Sequence, residues 1–522
     1  MTVITRRSLL LATTGSAAGL LLAGCQAARV AGEGPVGPPP FTLGVASGYP
    51  SAHGVVLWTR LAPSAVSPGE SSQPAAVPVG WEIAADERMA HVVARGTAQA
   101  MAASAHSVHV EVTGLASDRW YWYRFTALGH RSRIGRTRTL PEAGSVVSRL
   151  RLGIASCQNY EHGFYAAYRH LQADEPDLVV HVGDYIYEAT WGRDLVRPLR
   201  QPEVQTLAQY RERHALYKRD PDLQNAHAMF PWVLVWDDHE VANDYADATA
   251  ERITAPEVFL KRRAAAYQAY YEHMPMPRWM APSGPAMRIH TAFSIGNLAS
   301  ILLLDHRQYR SPQACPPAGR AGSNAVIPAS CTALRDPTRS LLGSTQEQWL
   351  DTQFAASTTT WNLIAQQTLM APLALPGREG APSRVRTDGW DGYPVSRQRL
   401  LDSIAERGLR NPIVIGGDVH AFFVADLHRQ PDVDSALLAT EFVGTSVTSQ
   451  AASQPYFDSL KAANSHLRHV NGTQRGYLRM TLTKDRLQAD LMGLDDVRRR
   501  DARISRQAAF VVEAGRPGAQ PG

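Results

Sequence analysis

At 522 residues the chain is too long for one ordinary domain, and at ~150 residues per domain its length alone argues for about three. Hydrophobic residues make up 44% and charged residues 19%, which excludes a disordered or fibrous chain and leaves ample material for a core. The net charge of +5 is mild for this length, and no Lys/Arg block is interleaved with aromatics, which argues against a nucleic-acid-binding surface.

Residues 1–24 read as an export signal. Arg6 and Arg7 stand immediately before an apolar run over 9–23 that is too short, and too rich in Gly, Ala and Ser, to span a bilayer. The arginine pair points to the twin-arginine route, so the export machinery is an expected partner, and the periplasm or outer cell surface the expected location. Leu22-Ala23-Gly24-Cys25 resembles a lipobox. Cys25 is expected either to be lipidated, anchoring the protein to a membrane, or to be lost or left free by ordinary cleavage nearby. Residues 25–40 form a Gly/Pro/Ala linker. Within it Gly32-Glu33-Gly34-Pro35-Val36-Gly37 matches a dinucleotide fingerprint formally, but no strand precedes it and Pro35 suits no such turn.

Over 41–142 the pattern is short and β-like, with β-branched and aromatic runs at 55–59, 108–112 and 120–126 separated by Gly, Pro, Ser and Asp. This predicts an N-terminal all-β sandwich of the immunoglobulin/fibronectin III kind, an accessory domain without a catalytic cluster. From 147 to 512 the texture is α/β. Buried-strand runs at 150–155, 178–182, 232–236, 299–304, 362–365 and 413–415 alternate with helical stretches such as 164–173. Each run stops at a polar cluster, the arrangement by which sheets deliver ligands to a crevice at their carboxyl ends. Residues 513–522 read as a flexible tail.

Four cysteines require assignment. Cys315 and Cys331 flank a Pro/Gly/Ser/Ala-rich stretch, and in an oxidising compartment the economical reading is a disulfide closing that loop, contributing roughly 3 kcal/mol. Cys157 is left without a partner in Ala155-Ser156-Cys157-Gln158-Asn159. Three more segments carry ligand-type residues: Gly183-Asp184-Tyr185-Ile186-Tyr187-Glu188, Trp236-Asp237-Asp238-His239-Glu240-Val241-Ala242-Asn243, and Gly416-Gly417-Asp418-Val419-His420. A single Asp after a strand often only caps a helix, but four strand ends sharing the habit predict a metal site. Asp237 reads as structural, orienting the backbone or His239; Asp305 and Arg307 read as an internal ion pair or as residues at the phosphate, and Asp391 with Tyr393 as loop residues lining the entrance.

These segments, with Gly44-Val45-Ala46-Ser47-Gly48, Leu304-Asp305-His306-Arg307, Gln346-Glu347-Gln348-Trp349-Leu350 and Phe442-Val443-Gly444-Thr445-Ser446, resemble the PhoD-like alkaline phosphatases of the calcineurin-like and purple-acid metallophosphoesterase group. The resemblance covers most of the chain. It implies a metallophosphoesterase domain, a β-sheet sandwich flanked by helices, and hydrolysis of phosphate mono- or diesters by a metal-bound hydroxide. It also implies an Fe(III) half held by Cys157, Asp184, Tyr187 and His420, with Asp184 bridging. In the second half Asp238 or Asn243, Gln366 or Gln367, and Asp418 stand where the purple-acid pattern has an Asn and two His, and carboxylate and amide oxygens in place of imidazoles move the site toward Ca²⁺. His239 would bind a phosphate oxygen or protonate the leaving alkoxide. The rival readings are a phospholipase-D-like phosphodiesterase on the same scaffold and a non-catalytic metal- or phosphate-binding lipoprotein. The absence of a Gly-x-Ser-x-Gly elbow disfavours a serine hydrolase, and no second His follows His239-Glu240 as a zincin requires.

Overall fold

The computed structural model describes residues 38–62, 75–377, 381–430 and 435–522. The twin arginines, Cys25 and the glycine-rich stretch at 32–37 lie outside the described residues.

The larger sheet has ten strands, in the order Arg516–Pro521, Ile504–Glu513, Arg486–Leu494, Gly476–Leu482, Leu150–Ala155, Leu178–Val182, Pro231–Val235, Val45–Ser51, Gly54–Arg60 and Ser107–Thr113. Its middle is parallel, with 150–155, 178–182, 231–235 and 45–51 running the same way. Strands Leu178–Val182 and Pro231–Val235 are buried at every residue, which is why they read as unbroken apolar runs rather than alternating ones.

A second, seven-stranded sheet runs Thr291–Ile295, Ala299–Leu303, Trp361–Ala365, Pro412–Gly416, Leu437–Val443, Phe422–His428 and Leu467–Asn471. Side chains alternate across it with a period of two. Leu363, Ala365, Ile413 and Ile415 face inward and share one core with Leu152 and Ile154 of the first sheet. Ile364 and Val414 face outward, onto Leu350 and Phe354 of the helix Ser344–Ala356 and Leu400, Leu401 and Ile404 of the helix Pro394–Glu406. Each fully buried aliphatic side chain in these layers contributes roughly 1.5–3 kcal/mol. The two layers bring the carboxyl ends of both sets of parallel strands to one edge. There Cys157 N donates to Gly183 O at 3.0 Å, Gly417 N to Gln367 O at 2.7 Å, and Val447 N to Ser156 O at 2.9 Å.

The N-terminal strands contribute to two sheets. Strands Ala76–Ala84, Val92–Met101, Trp120–Ala127, His130–Arg131 and Gly135–Arg138 form a small sheet of their own. Its Val79, Ile83, Tyr123 and Phe125 pack on Val45, Val55, Leu57, Val110 and Val112, which belong to the end of the ten-stranded sheet. The regions 41–142 and 147–512 are therefore joined through one sheet, because Val45–Ser51 pairs in parallel with Pro231–Val235 at Ser47↔Pro231 and Gly48↔Trp232. A sheet edge left unpaired there would expose a row of backbone donors and acceptors. The tail is corrected. Arg516–Pro521 is a strand on Ile504–Glu513, held also by Gly518 N on Thr440 Oγ1 at 3.1 Å. Its Pro and Gly residues mislead as a tail signal because edge strands tolerate both. Cys315 and Cys331 are bonded to each other, and Cys157 is free and buried, as expected.

Candidate active site

The strand-end loops hold their ligand-type residues on unusual backbone. Cys157, Asp184, Asp418 and His420 all have φ between 54° and 65°, as does Asp244. Non-glycine residues in this left-handed region are held at a cost of roughly 1 kcal/mol or more each, and such strain collects at functional sites. Gly183, at φ 109°, is required beside them, since a Cβ there would stand 2.5 Å from Asp237 Cβ.

Three overlapping groups could hold cations, each with ligand atoms within 4.8 Å of one another: Cys157, Asp184 and His420; Asp184, Asp238 and His239; and Asp238, Asp244 and Asp388. Asp184 belongs to the first two and Asp238 to the last two. Tyr187 lies in the first group's hollow, its hydroxyl 2.9 Å from Asp184 Oδ2, 3.2 Å from His420 Nε2 and 2.7 Å from Ser449 Oγ. The donor set suits cations on a second observation. Asp184 Oδ1, Asp237 Oδ2 and Gln367 Oε1 are buried with no hydrogen-bond partner, an arrangement that costs free energy unless something binds them.

The electrostatics agree. Burial and the neighbouring Asp184 push the Cys157 thiol up. Burial, with Asp237, Asp388 and Asp238 around it, raises Asp418 well above the usual carboxylate range. Burial also raises Asp238, against the pull of Arg307. The site thus holds more anionic groups than its own cations neutralise. Arg307, fully buried, donates from Nε to Asp237 Oδ1 at 2.5 Å and from both terminal nitrogens to the two oxygens of Asp388 at 2.8 Å, and stands 3.7 Å from Asp238.

Expected and observed placements differ in instructive ways. Asp305 does not pair with the Arg307 guanidinium; it accepts Trp236 Nε1 and the backbone N–H groups of Arg307 and Gln308. Asp237 supports Arg307 rather than His239. Asp391 bonds Arg397 at 2.7 Å, and the buried Tyr393 donates to Ser311 O at 2.6 Å. Of the two glutamines, Gln367 has the free oxygen, whereas Gln366 Oε1 accepts from Trp390 Nε1 at 3.1 Å. Asn243 gives its amide to Glu251 at 3.2 Å and lines a cleft of about 510 Å³ that also touches Glu188.

Four residues that matter here escaped the sequence reading. Glu188 Oε2 lies 2.7 Å from His239 Nδ1, and its Oε1 accepts Asn243 N at 2.8 Å. Burial opposes charge on His239, but Glu188, Asp238 and Asp184 outweigh it and raise the imidazole well above its ordinary value. Glu240 accepts the N–H groups of Asp184, Tyr185 and Asp237 at 3.1, 2.6 and 2.9 Å, tying two strand-end loops together. Both glutamates stand inside the motif segments, which was the available signal. Asp244 stands just past one such segment, its N–H on Asp238 Oδ2 at 2.7 Å, whereas Asp388 lies in none and only the fold brings it to Asp238.

This geometry can be set beside known proteins. The PhoD-like phosphatase family matches residues 152–491, and its N-terminal domain matches residues 25–141. The chain belongs to the PhoD-like phosphatase family. It is similar to alkaline phosphatase D of Bacillus subtilis (strain 168), 43% identical over 488 residues, covering 92% of this chain and 82% of that protein. A solved structure of PhoD superposes with a TM-score of 0.86 at 42% identity, covering 93% of this chain and 92% of the other. All of the site residues described above lie within residues 152–491, the region that matches the PhoD-like phosphatase family.

Proposed function

We infer that this PhoD-like phosphatase works at the crevice where the carboxyl ends of the two sheets meet. It hydrolyses phosphate esters, as its membership in the family and its likeness to an alkaline phosphatase D support. The observation that carries the site assignment is the sharing of Asp184 between two groups of ligand atoms, the placement a bridging carboxylate needs.

In our reading Cys157, Tyr187, His420 and the shared Asp184 would hold the softer, anionic end suited to Fe(III). Asp238, Asp418, the free oxygen of Gln367 and Asn243 at the rim form the oxygen-rich end suited to Ca²⁺. When bound, the cations supply charge stabilisation at the phosphoryl oxygens and a lowered pKa for the attacking water. His239 gives its proton to the leaving alkoxide oxygen. Glu188 on Nδ1 keeps the ring protonated and aims the other nitrogen into the crevice. Arg307 holds Asp237, Asp238 and Asp388 against their mutual repulsion.

The finer architecture is proposed with it: a metallophosphoesterase sandwich of two sheets flanked by helices, and an immunoglobulin/fibronectin-like N-terminal layer. Tyr121 supports the latter, its hydroxyl taking Ala116 N at 2.9 Å as a tyrosine corner does. We propose export by the twin-arginine route to the periplasm or outer surface, with lipidation of Cys25 as a possible anchor. Changing Arg6 and Arg7 together to Lys should leave precursor in the cytoplasm; unchanged processing refutes the route.

The activity test is phosphate release from an aryl phosphate and a bis-aryl phosphate. Chelation should abolish it, added Ca²⁺ restore it, and Asp184→Asn remove it. Activity surviving both treatments refutes the site.

A further inference from the structure

His420 is fixed from a direction that its motif does not reveal. Its Nδ1 lies 2.8 Å from the carbonyl oxygen of Gln450. A carbonyl only accepts, so Nδ1 carries the proton, and Nε2 keeps its lone pair toward Asp184 and Tyr187. The backbone N–H of Gln450 in turn donates to His162 Nδ1 at 3.1 Å. That leaves the His162 proton on Nε2, which donates to the carbonyl of Trp191 at 2.8 Å. The indole of Trp191 then closes the circuit. It stacks on the His420 ring with centroids 5.6 Å apart and planes 13° from parallel, and meets His162 edge-on at 4.5 Å and 86°.

The Trp191 loop has little freedom to leave. Gln450 accepts Arg193 N at its side-chain oxygen, 3.1 Å away, and donates from Nε2 to Arg193 O. Gly192, at φ 87°, leaves no space for a side chain, since a Cβ would stand 2.5 Å from His162 Nε2. His162 is 2% exposed, and burial pulls its pKa down to about 4, so the ring is neutral in ordinary working conditions.

We infer that His162 is a positioning residue for phosphoester hydrolysis: through Gln450 and Trp191 it fixes the tautomer and the ring plane of His420. The inference rests on the reading of His420 as a metal ligand. His162 belongs to none of the three groups that could hold cations. Partners of a ligating imidazole set its basicity and orientation, and their removal typically weakens metal affinity or activity by about 10–100-fold.

The test uses the full-length, metal-loaded protein and three variants. His162→Ala removes the acceptor for Gln450 N–H, whereas His162→Asn places a side-chain oxygen where Nδ1 stood. His420→Ala serves as the reference. Metal retained after timed dialysis against a chelator, kcat, KM and the thermal midpoint are measured together. His162→Ala should release metal about tenfold faster and lower kcat by a similar factor with little change in KM, and His162→Asn should restore most of both. His420→Ala should lose metal outright. Wild-type retention and kcat in His162→Ala overturn the inference, as does a loss shared equally by Ala and Asn that follows only the thermal midpoint. Metal kept by His420→Ala withdraws the ligand assignment, and this inference with it. Should His162→Ala not fold, Trp191→Ala on the half-buried loop takes its place: faster metal release supports the circuit, and unchanged release overturns it.

Discussion

At the scale of single residues, the proposed division of ligands between two cations sets the expected outcomes. Tyr187→Phe keeps the buried ring and loses the oxygen that sits 2.9 Å from Asp184. With Fe(III) bound it should bleach or shift a visible charge-transfer band and lower turnover while leaving the thermal midpoint nearly unchanged. Asp418→Ala should spare the colour and lose calcium. Absorption spectra and metal contents of the two variants check this, and the reverse pattern would exchange the two halves. His239→Ala removes the proposed acid and should cost about 10²–10⁴-fold in kcat on substrates with poor leaving groups. It should cost much less on aryl phosphates, whose leaving oxygen needs little protonation. An equal loss on both classes would reassign His239 to phosphate or cation binding. Glu188, 2.7 Å from His239 Nδ1, would act on the same step.

At the scale of the elements, the sequence shows where strands end but not what meets beyond them. The run Leu178-Val179-Val180-His181-Val182 could be read because a parallel strand buried on both faces has no polar alternation to obscure it. Asp184, Asp238 and Asp418 could be read because each follows such a run directly. Asp388 was not readable, since it stands on a loop from the second sheet and no local pattern encodes its meeting with Asp238; Asp244 reaches Asp238 within one loop, by its own N–H. The strand Arg516–Pro521 was hidden for a similar reason: pairing with Ile504–Glu513 overrides a weak local propensity. The loops themselves are strained, which gives a stability prediction. Gly183→Ala forces a Cβ against Asp237 at φ 109°, so it should destabilise by roughly 1–3 kcal/mol and displace Asp184. Chemical denaturation would measure the first effect and turnover the second. An Ala variant as stable and active as the parent would mean that the turn is not tight.

At the scale of the whole molecule, one buried cation offers a test of the fold's interior. Lys218 is 2% exposed, and burial lowers its pKa from 10.5 to about 7. Its ammonium lies 4.5 Å from the Trp58 ring, but such a contact contributes only about 2 kcal/mol and does not offset full desolvation. The folded state therefore favours the neutral amine, while the unfolded chain keeps the proton up to about 10.5. Below pH 7 both states are protonated and the penalty is fully present. Between pH 7 and 10.5 the unfolded state binds more protons, so stability rises with pH. The stability of the parent relative to Lys218→Met should grow by about 1.4 kcal/mol per pH unit between pH 7 and 9.5, read from denaturation midpoints. A flat difference would mean that Lys218 stays charged. The central claim, however, concerns the crevice at the sheet edge. Its most direct test is elemental analysis of the exported, unchelated protein, counted per chain. The account predicts iron together with calcium, the calcium removed first by chelation. Zinc alone, or no metal at all in protein that still releases phosphate, would contradict it.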